Sequence, residues 1–165
     1  AIDMARAEGF HFGVKVVRGA YMEKERRRAA EKGYESPIQP DKASTDRDYD
    51  EALRHLLDNI DITAICTGTH NEQSCLFLTE LMDEKRIEPG DHRIFFSQLL
   101  GMSDGISFNL AESGYNVAKY VPYGPIDKVM PYLFRRAKEN TAISGQSSRE
   151  LTMVQKEVKR RKSAK

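Results

Sequence analysis

The stretch Phe12-Gly13-Val14-Lys15-Val16-Val17-Arg18 decides the fold class of this sequence. It is short, rich in β-branched residues and followed by Gly19, a pattern that predicts a β-strand. The charge-rich segment 21–31 contains no Gly or Pro and predicts a solvated helix that ends at Gly33. The first strand–helix repeat is therefore expected between residues 12 and 33.

The same alternation recurs along the rest of the chain. Further strands are predicted at 62–67, 93–98 and 117–121. Helices are predicted between and after them, in the following order: one from about 45, one carrying Leu76, Phe77, Leu81 and Met82, one at 104–113, one at 126–140 and one from about 147. The segment 34–44 contains Pro37 and Pro40 and is expected to be a loop long enough to cover a ligand.

Alternating strands and helices predict an α/β fold with a parallel sheet. Two architectures fit: a small open doubly wound sheet of four strands, or half of a (β/α)8 barrel, which takes ~250 residues in all. Polar and Gly-containing motifs follow every predicted strand, and this favours the barrel, whose site is ringed by all the strand-to-helix loops. The chain also begins without Met, on a segment typical of an amphipathic helix, so we expect it to be cut from a longer protein.

Composition excludes several classes of protein. The 165 residues carry 26 Lys and Arg against 25 Asp and Glu, and a net charge of +1 provides no field to attract nucleic acid. Hydrophobic residues make up 39%, which is too many for a disordered chain. No apolar run approaches the ~20 residues of a membrane span, so we expect a soluble or at most peripheral protein. Cys66 and Cys75 do not form a disulfide framework and fit a reducing compartment.

The common cofactor and metal motifs are absent from the sequence. No GxxxxGK[ST] or GxGxxG motif follows a predicted strand. Cys66, His70 and Cys75 match no zinc-binding spacing, so we expect no metal site and interpret the cysteines as buried structural residues. His70 differs because it follows a strand directly, where with Thr69 it could contact a phosphate or the polar part of a cofactor.

Two basic clusters remain near the end of the chain. Arg135 and Arg136 are adjacent in a predicted helix and point in directions about 100° apart. Either one of them reaches solvent while the other pairs with Glu139, or the two guanidiniums clamp a carboxylate, for which their planar geometry is suited. The run Lys159-Arg160-Arg161-Lys162 is interpreted as a solvated helix end, with weak attraction to anionic polymers or lipid as the alternative.

Four motifs in register identify a family resemblance. They are Val14-Lys15-Val16-Val17-Arg18-Gly19-Ala20-Tyr21, Gln98-Leu99-Leu100-Gly101-Met102, Lys119-Tyr120-Val121-Pro122-Tyr123-Gly124 and Tyr132-Leu133-Phe134-Arg135-Arg136-Ala137-Lys138-Glu139-Asn140. In these motifs the sequence resembles proline dehydrogenase, over nearly the whole chain. The resemblance implies that residues 1–146 are the C-terminal half of a distorted (β/α)8 barrel and that 147–165 form a charged C-terminal helix.

The resemblance also implies an activity, the FAD-dependent oxidation of L-proline to 1-pyrroline-5-carboxylate with electrons passed to a quinone. It implies that Arg135 and Arg136 hold the proline carboxylate. The substrate ring would lie against Tyr21, Tyr120 and either Leu99 or Leu100. Tyr120 further implies proline as substrate, because hydroxyproline-oxidising relatives have a smaller residue there.

The cofactor-binding residues come from the same resemblance. Those implied are Lys15, Arg18, Gly19 and Ala20 along the flavin, Thr69 and His70 at its polar linker, Lys42 and Thr45 of the proline-containing loop at its adenosine side, and Glu139, which would tie the arginine helix to the site. Lys15 stands where many bacterial relatives have Arg. A lysine keeps the positive charge near the reactive nitrogen of the flavin but loses the guanidinium fork.

Some of the family's residues have no counterpart in this chain. A lysine, an aspartate and a flavin-contacting glutamine belong to the first half of the barrel, so we expect the N-terminal half to be required for catalysis. The implied location is the cytoplasm, with possible peripheral contact to the inner membrane in a bacterium, or the mitochondrion in a eukaryote. Two other functions stay open: a non-catalytic α/β interaction module, and an unrelated phosphate-binding barrel enzyme using Thr69, His70 and Lys42.

Overall fold

The structure, a computed structural model, describes residues 1–142 and 144–163, without the side chains of 135–150 and 153. It divides into two compact units, Ala1–Lys119 and Tyr120–Lys165. The elements in chain order are α1 (Ile2–Glu8), β1 (Phe12–Val17), α2 (Met22–Lys32), α3 (Lys42–Asp58), β2 (Thr63–Gly68), α4 (Glu72–Glu84), β3 (Ile94–Leu99), α5 (Asp104–Glu112), β4 (Val117–Tyr120), α6 (Ile126–Ala142) and α7 (Ser144–Ser163).

The four strands form one sheet in the order β1-β2-β3-β4. β1 pairs with β2 and β2 with β3, both in parallel, and the register places Lys15 beside Cys66 and Cys66 beside Phe95. Each strand thus lies beside the next one in the chain, and the connection between them contains a helix. An open doubly wound sheet would reverse its strand order at a switch point, whereas a barrel keeps the order sequential.

The core of the first unit lies between the sheet and two helices. Alternate residues of the strands, including Ile65, Ile94 and Phe96, are buried on the face that α3 and α4 cover. The helices contribute residues at helical spacing, which are Leu53, Leu56 and Leu57 from α3 and Leu78, Leu81 and Met82 from α4. The alternate residues of the strands and the helically spaced residues of α3 and α4 therefore pack together in one apolar layer.

The opposite face of the sheet is open. Phe95 is 40% exposed there, while its neighbour Phe96 is fully buried on the helix side. Val17 is 51% exposed on the same open face, and Lys15 is exposed beside it. In a (β/α)8 barrel this face lines the interior, where layers of side chains from alternate strands meet.

One predicted boundary is wrong in a way that affects the site. The loop expected over 34–44 ends at Asp41, and α3 begins at Lys42, three residues before the predicted helix start near 45. Lys42 and Thr45 therefore lie in the first turn of α3 and not in the proline-containing loop. The physical reason is a cap: the Asp41 carboxylate accepts a hydrogen bond of 2.7 Å from the Ser44 N–H, so the helix forms directly after Pro40. The other predicted element ends lie within three residues of the observed ones, which alters no assignment of type.

The second unit contains the end of β4, α6 and α7. The ring of Tyr120 meets that of Tyr132 edge to face, with centroids 5.9 Å apart. In α7, Glu157 binds Arg160 and Arg161, which lie one turn further along the same helix. α7 begins at Ser144, and the domain boundary at residue 147 stays a prediction. Among the helices as described, none is long and apolar enough to cross a membrane.

Candidate active site at the carboxyl ends of the strands

The turn after β1 exposes backbone next to the sheet. Gly19 has φ 75°, a left-handed conformation that glycine adopts without strain, and Ala20 follows it. Tyr21, with φ 57°, precedes the first residue of α2, and its side chain is exposed. The predicted site residues Gly19, Ala20 and Tyr21 therefore lie together in one exposed turn at the carboxyl end of β1.

Lys15 reaches this end of the sheet from within β1. It pairs with Cys66 in the register, and its side chain passes over Gly68, two residues further along β2. A Cβ added at Gly68 would lie 3.0 Å from Lys15 Cε and 2.9 Å from Val17 Cγ1. Glycine at 68 thus provides the space in which the Lys15 stem extends along the open face.

Arg18 is bound by several side chains of the protein. Its Nη1 donates to the Asp46 carboxylate, and its Nη2 donates to Thr69 Oγ1 at 3.0 Å and to Ser74 Oγ at 2.7 Å. The guanidinium also stacks on Tyr49, with Cζ 3.9 Å from the ring centroid. Burial raises the pKa of Tyr49 to about 12, so this ring is neutral at physiological pH.

Asp46 joins Arg18 to the start of α3. Its carboxylate accepts from Arg18 and from Lys42, one helical turn before it. Partial burial of the carboxyl opposes ionisation, but the hydrogen bond from Lys42 and the charge of Arg18 together lower the pKa of Asp46 below its usual value. The predicted Lys42 is therefore part of the Arg18 cluster, whereas Thr45 bonds locally, its Oγ1 donating to the Asp41 carbonyl at 2.9 Å.

The turn after β2 carries Thr69 and His70. Thr69 Oγ1, besides its bond with Arg18, accepts from the Asn71 N–H at 3.0 Å. Asn71 then caps α4 by accepting from the Gln73 N–H at 2.9 Å. His70 Nδ1 lies 2.9 Å from the hydroxyl oxygen of Ser103, which precedes α5. The predicted cofactor-binding residues are therefore both held by the protein, Thr69 by Arg18 and His70 by Ser103.

The turn after β3 is built on a buried amide. Gln98 Nε2 donates to the Thr69 carbonyl at 3.2 Å, and its Oε1 accepts from Ser107 Oγ at 2.9 Å. Lys119 of β4 donates to the Met102 carbonyl and to Asp104 Oδ1, both at 2.7 Å. These bonds fix the turn in which Leu99 is half-buried and Leu100 is exposed.

Sequence reasoning missed the residues that hold the predicted ones in place. These are Asp46, Tyr49, Ser74, Gln98, Ser103, Ser107 and Lys119. Gln98 was visible in a recognised motif, and a glutamine at the end of an otherwise apolar strand was the available signal. Lys119 also belongs to a recognised motif, and Ser107 bonds Gln98, only nine residues before it. Asp46, Tyr49, Ser74 and Ser103 contact residues at least 28 positions away, for which one sequence offers no pattern.

The remaining predicted residues belong to the second unit. Tyr120 is 45% exposed and packs on Tyr132. Arg135, Arg136 and Glu139 are in the backbone of α6, but their side chains lie outside the described residues. Their roles stay predictions.

The cysteines take part in no metal cluster within residues 1–142 and 144–163, where no group of three or more His, Cys, Asp or Glu is placed to hold a metal. Cys75 is buried in the core, and burial raises the pKa of its thiol to about 12. A thiol in this state is a structural apolar group rather than a nucleophile.

Comparison with known protein families identifies the family to which the chain belongs. The family model described as proline dehydrogenase matches residues 1–149. The chain belongs to the proline dehydrogenase family. The predicted fold class, an α/β chain of parallel strand–helix repeats from a (β/α)8 barrel, is confirmed by the sheet order and by this membership.

Proline dehydrogenase relatives match almost the whole chain. Proline dehydrogenase 1, mitochondrial, from Homo sapiens is 45% identical over 97% of this chain and 27% of its own length, and that from Caenorhabditis elegans is 42% identical with the same coverage. Hydroxyproline dehydrogenase from Xenopus laevis is 43% identical, over 97% of this chain and 35% of its own length. The chain therefore spans about a quarter to a third of these relatives, and overall identity does not separate the two substrate classes.

Solved structures of proline utilization A share the fold. The crystal structure of the Bdellovibrio bacteriovorus protein, inactivated by N-propargylglycine, superposes with a TM-score of 0.77 at 29% identity. The match covers 85% of this chain and 14% of that one. A mutant of the Bradyrhizobium japonicum protein superposes with a TM-score of 0.75 at 29% identity, covering 87% of this chain and 14% of that one.

Proposed function

We propose that this chain forms part of an enzyme that oxidises L-proline to 1-pyrroline-5-carboxylate with FAD and passes the electrons to a quinone. The observation that carries the proposal is the family match over residues 1–149, which includes the motif from Val14 to Tyr21 at the end of β1. An unrelated phosphate-binding enzyme and a non-catalytic module are disfavoured by the same match. In the reaction the ring nitrogen loses a proton and the adjacent carbon loses a hydride, so the C–N bond becomes C=N.

The side chains at the strand ends fit a dinucleotide with an anionic linker. Lys15, Arg18, Lys42 and His70 are cationic or can become so. Two carboxylates near them are paired with cations: Asp46 accepts from Arg18 and Lys42, and Asp104 accepts from Lys119. FAD, when bound, accepts the hydride and carries the electron pair to the quinone. Thr69 and His70 would hold its polar linker, Gly19 and Ala20 would lie along the flavin, and Lys42 with Thr45 would face the adenosine side.

Substrate binding is proposed to depend on a carboxylate clamp. Arg135 and Arg136 would hold the proline carboxylate, because two guanidiniums present paired N–H donors to its oxygens. Tyr21, Tyr120 and Leu99 or Leu100 would enclose the apolar ring and exclude water. Glu139 would fix the arginine helix to the cofactor site. Orientation and a dry pocket are the contributions that this reaction requires from protein residues.

Lys15 is proposed to place a positive charge beside the reacting end of the flavin. Its stem is directed along the open face by the space at Gly68. An ammonium held there would stabilise negative charge that develops on a bound flavin. Lys15 would thus provide the same positive charge as an arginine at this position, but without the paired N–H donors of a guanidinium.

Hydroxyproline is the second candidate substrate, because hydroxyproline dehydrogenases from Xenopus laevis and Homo sapiens are 43% and 40% identical to this chain. The aromatic residue at Tyr120 favours proline. Its ring is supported by Tyr132 and would leave less space for a ring hydroxyl than a small side chain would.

The proposed partners follow from the reaction. A quinone as acceptor implies peripheral contact with a membrane, at the inner membrane of a bacterium or within the mitochondrion of a eukaryote. The N-terminal half of the barrel is proposed to cover the open face of the sheet at Lys15, Val17 and Phe95. No role for nucleic acid or metal is proposed.

The test is substrate turnover by the protein in its natural length. L-Proline and trans-4-hydroxy-L-proline are each supplied with a soluble quinone, and the product is trapped and identified while the cofactor is released and weighed by mass spectrometry. We expect 1-pyrroline-5-carboxylate, one quinone reduced per proline, and FAD. Preference for hydroxyproline would replace the proposed substrate, and a protein that oxidises neither would contradict the proposed function.

A further inference from the structure

The family resemblance implies that Arg18 lies along the flavin, and in the structure its guanidinium is bound by Asp46, Thr69 and Ser74. We propose that Arg18 is a positioning residue: it holds the Thr69-His70 turn against β1 and α3, and contributes to cofactor binding through that turn. This inference rests on the proposed function for its cofactor, FAD. Its structural half, that Arg18 orders the turn, does not depend on FAD.

The contacts of Arg18 join four elements. The residue follows β1, Asp46 and Tyr49 lie on α3, Thr69 follows β2, and Ser74 lies on α4. Nη1 is used by the Asp46 carboxylate, and Nη2 is shared by two hydroxyl oxygens, at 3.0 and 2.7 Å. Both terminal nitrogens therefore have protein partners from distant parts of the chain.

The contacts of Arg18 are costly to lose because most of the groups involved are shielded from water. The Arg18 side chain is 17% exposed, and its partners Thr69 and Ser74 are buried. Arg18 Nε is buried as well, and no described residue accepts a hydrogen bond from it. A guanidinium that is enclosed by a ring, a carboxylate and two hydroxyls has little surface left for a ligand. Removing it would leave the partly buried Asp46 charge with Lys42 alone and the buried Thr69 and Ser74 hydroxyl oxygens without this donor, which costs more than the loss of an exposed ion pair does.

The turn that Arg18 holds is connected to the rest of the strand ends. Thr69 accepts from Arg18 through its hydroxyl and from Gln98 through its carbonyl. The next residue, His70, contacts Ser103. Arg18 therefore fixes one side of the turn while Gln98 and Ser103 fix the other, so its loss frees the turn on the β1 side.

The variant Arg18→Lys distinguishes a role in positioning the turn from direct contact with a phosphate of the cofactor. Lysine would keep a charge for Asp46, but a single ammonium reproduces neither the fork of donors nor the stacking on Tyr49. A phosphate accepts a lysine as a point charge almost as readily as an arginine. If Arg18 positions the turn, Arg18→Lys should therefore restore little, and if it binds phosphate, Arg18→Lys should restore most of the affinity.

The experiment uses the natural-length protein with four substitutions: Arg18→Met, Arg18→Lys, Asp46→Asn and, as control, Arg47→Met. Arg47 neighbours Asp46 on α3 but is exposed, and its closest carboxylate is 3.9 Å away. Amide hydrogen exchange of the apoprotein is measured over 69–75, and FAD affinity is measured by titration. Asp46→Asn changes few atoms and tests the proposal even if Arg18→Met does not fold.

We expect Arg18→Met and Asp46→Asn to accelerate exchange at 69–75 by about tenfold and to weaken FAD binding by about tenfold, as the loss of one charge-assisted hydrogen bond implies. Arg18→Lys should recover less than half of this loss on a logarithmic scale. Half-saturation by proline at saturating FAD should change by less than about twofold, since neither Thr69 nor His70 is among the residues proposed to bind the substrate. Arg47→Met should change none of these quantities.

Two results would overturn the proposal. One is unchanged exchange at 69–75 in the apoprotein of Arg18→Met or, if that variant does not fold, of Asp46→Asn. The other is weakened FAD binding in Arg18→Met that Arg18→Lys restores fully, which assigns Arg18 to direct contact. If the wild-type protein binds no FAD, the proposed function fails, whereas the exchange data still decide whether Arg18 orders the turn.

Discussion

The two ends of the sheet use polar residues in different ways. At the amino end of β3, Arg93 binds Asp91, two residues away, with its Nε 2.9 Å from Oδ1 and its Nη2 2.5 Å from Oδ2. Asn116 Nδ2 donates there to the carbonyls of Asp91 and Ile94. At the carboxyl end, Arg18 and Gln98 connect turns from different repeats. Side chains join neighbouring repeats at both ends, since Asn116 precedes β4 and Arg93 Nη1 also donates to the Ile60 carbonyl before β2. The carboxyl end differs because the turns joined there carry the residues proposed to bind the cofactor.

This difference agrees with the general roles of the two ends of (β/α)8 barrels. Residues at the amino ends of barrel strands serve stability, and those at the carboxyl ends serve catalysis. Substitutions at the amino end should therefore change the free energy of unfolding and leave binding alone. Substitutions in the proposed binding machinery should do the reverse.

The largest expected effect concerns the proposed carboxylate clamp. Arg136→Met should raise the proline concentration for half-saturation by about 30- to 100-fold, because one charged partner of the carboxylate is lost. FAD content and the free energy of unfolding should stay near the wild-type values. Steady-state kinetics and a urea titration measure these quantities, and Lys162→Met in α7 is the control. Unchanged saturation by proline would remove Arg136 from the clamp.

The next effect is at the amino end of β3. Arg93→Met should lower the free energy of unfolding at neutral pH by about 2 kcal/mol, because Asp91 and the Ile60 carbonyl each lose a donor. Urea unfolding measures the loss. Half-saturation by proline and FAD affinity should be unaffected. A change of either by more than threefold would contradict the separation between the two ends of the sheet.

A smaller effect is expected on substrate choice. Tyr120→Ser should shift the ratio of kcat/KM for trans-4-hydroxy-L-proline over L-proline by about tenfold toward hydroxyproline, because a smaller side chain leaves space for the hydroxyl. Tyr120→Phe is the matched control, since it keeps the ring. An equal shift in both variants would indicate that the phenol hydroxyl, and not the ring, excludes hydroxyproline.

The smallest effect is a pH dependence at the amino end. The hydrogen bonds from Arg93 lower the pKa of Asp91 to about 2. Because the pKa is lower in the folded than in the unfolded state, the stabilisation is complete above about pH 4 and is lost as the pH falls toward 2. In Asp91→Asn the free energy of unfolding should therefore fall by about 1 kcal/mol less than in the wild type between pH 4 and pH 2. Parallel acid limbs in wild type and variant would refute this origin of the acid sensitivity.

Much of the fold could be predicted from the sequence because its signals are local. The β-branched run in β1 and the helical period of Leu53, Leu56 and Leu57 each specify their element without distant contacts. The start of α3 differs from the prediction because Pro37 and Pro40 indicate a loop, whereas the Asp41 cap starts the helix directly after Pro40.

The site was predictable only as a set of residues that share one end of the sheet. Glycines and polar side chains after the strands indicate where a ligand binds, but not which side chains face it. Arg18 shows the limit: its partners Asp46, Thr69 and Ser74 lie 28 to 56 residues away. Whether a guanidinium binds a ligand or a neighbouring turn depends on such long-range contacts, which a single sequence does not reveal.

The most direct test of the central claim is an anaerobic titration of the natural-length protein with L-proline. The absorption spectrum is recorded before and after each addition, with D-proline as the control. The proposed function predicts a protein that carries a flavin band, which L-proline bleaches in a saturable way and D-proline leaves intact. A protein without a flavin band, or with a band that L-proline does not change, would contradict it.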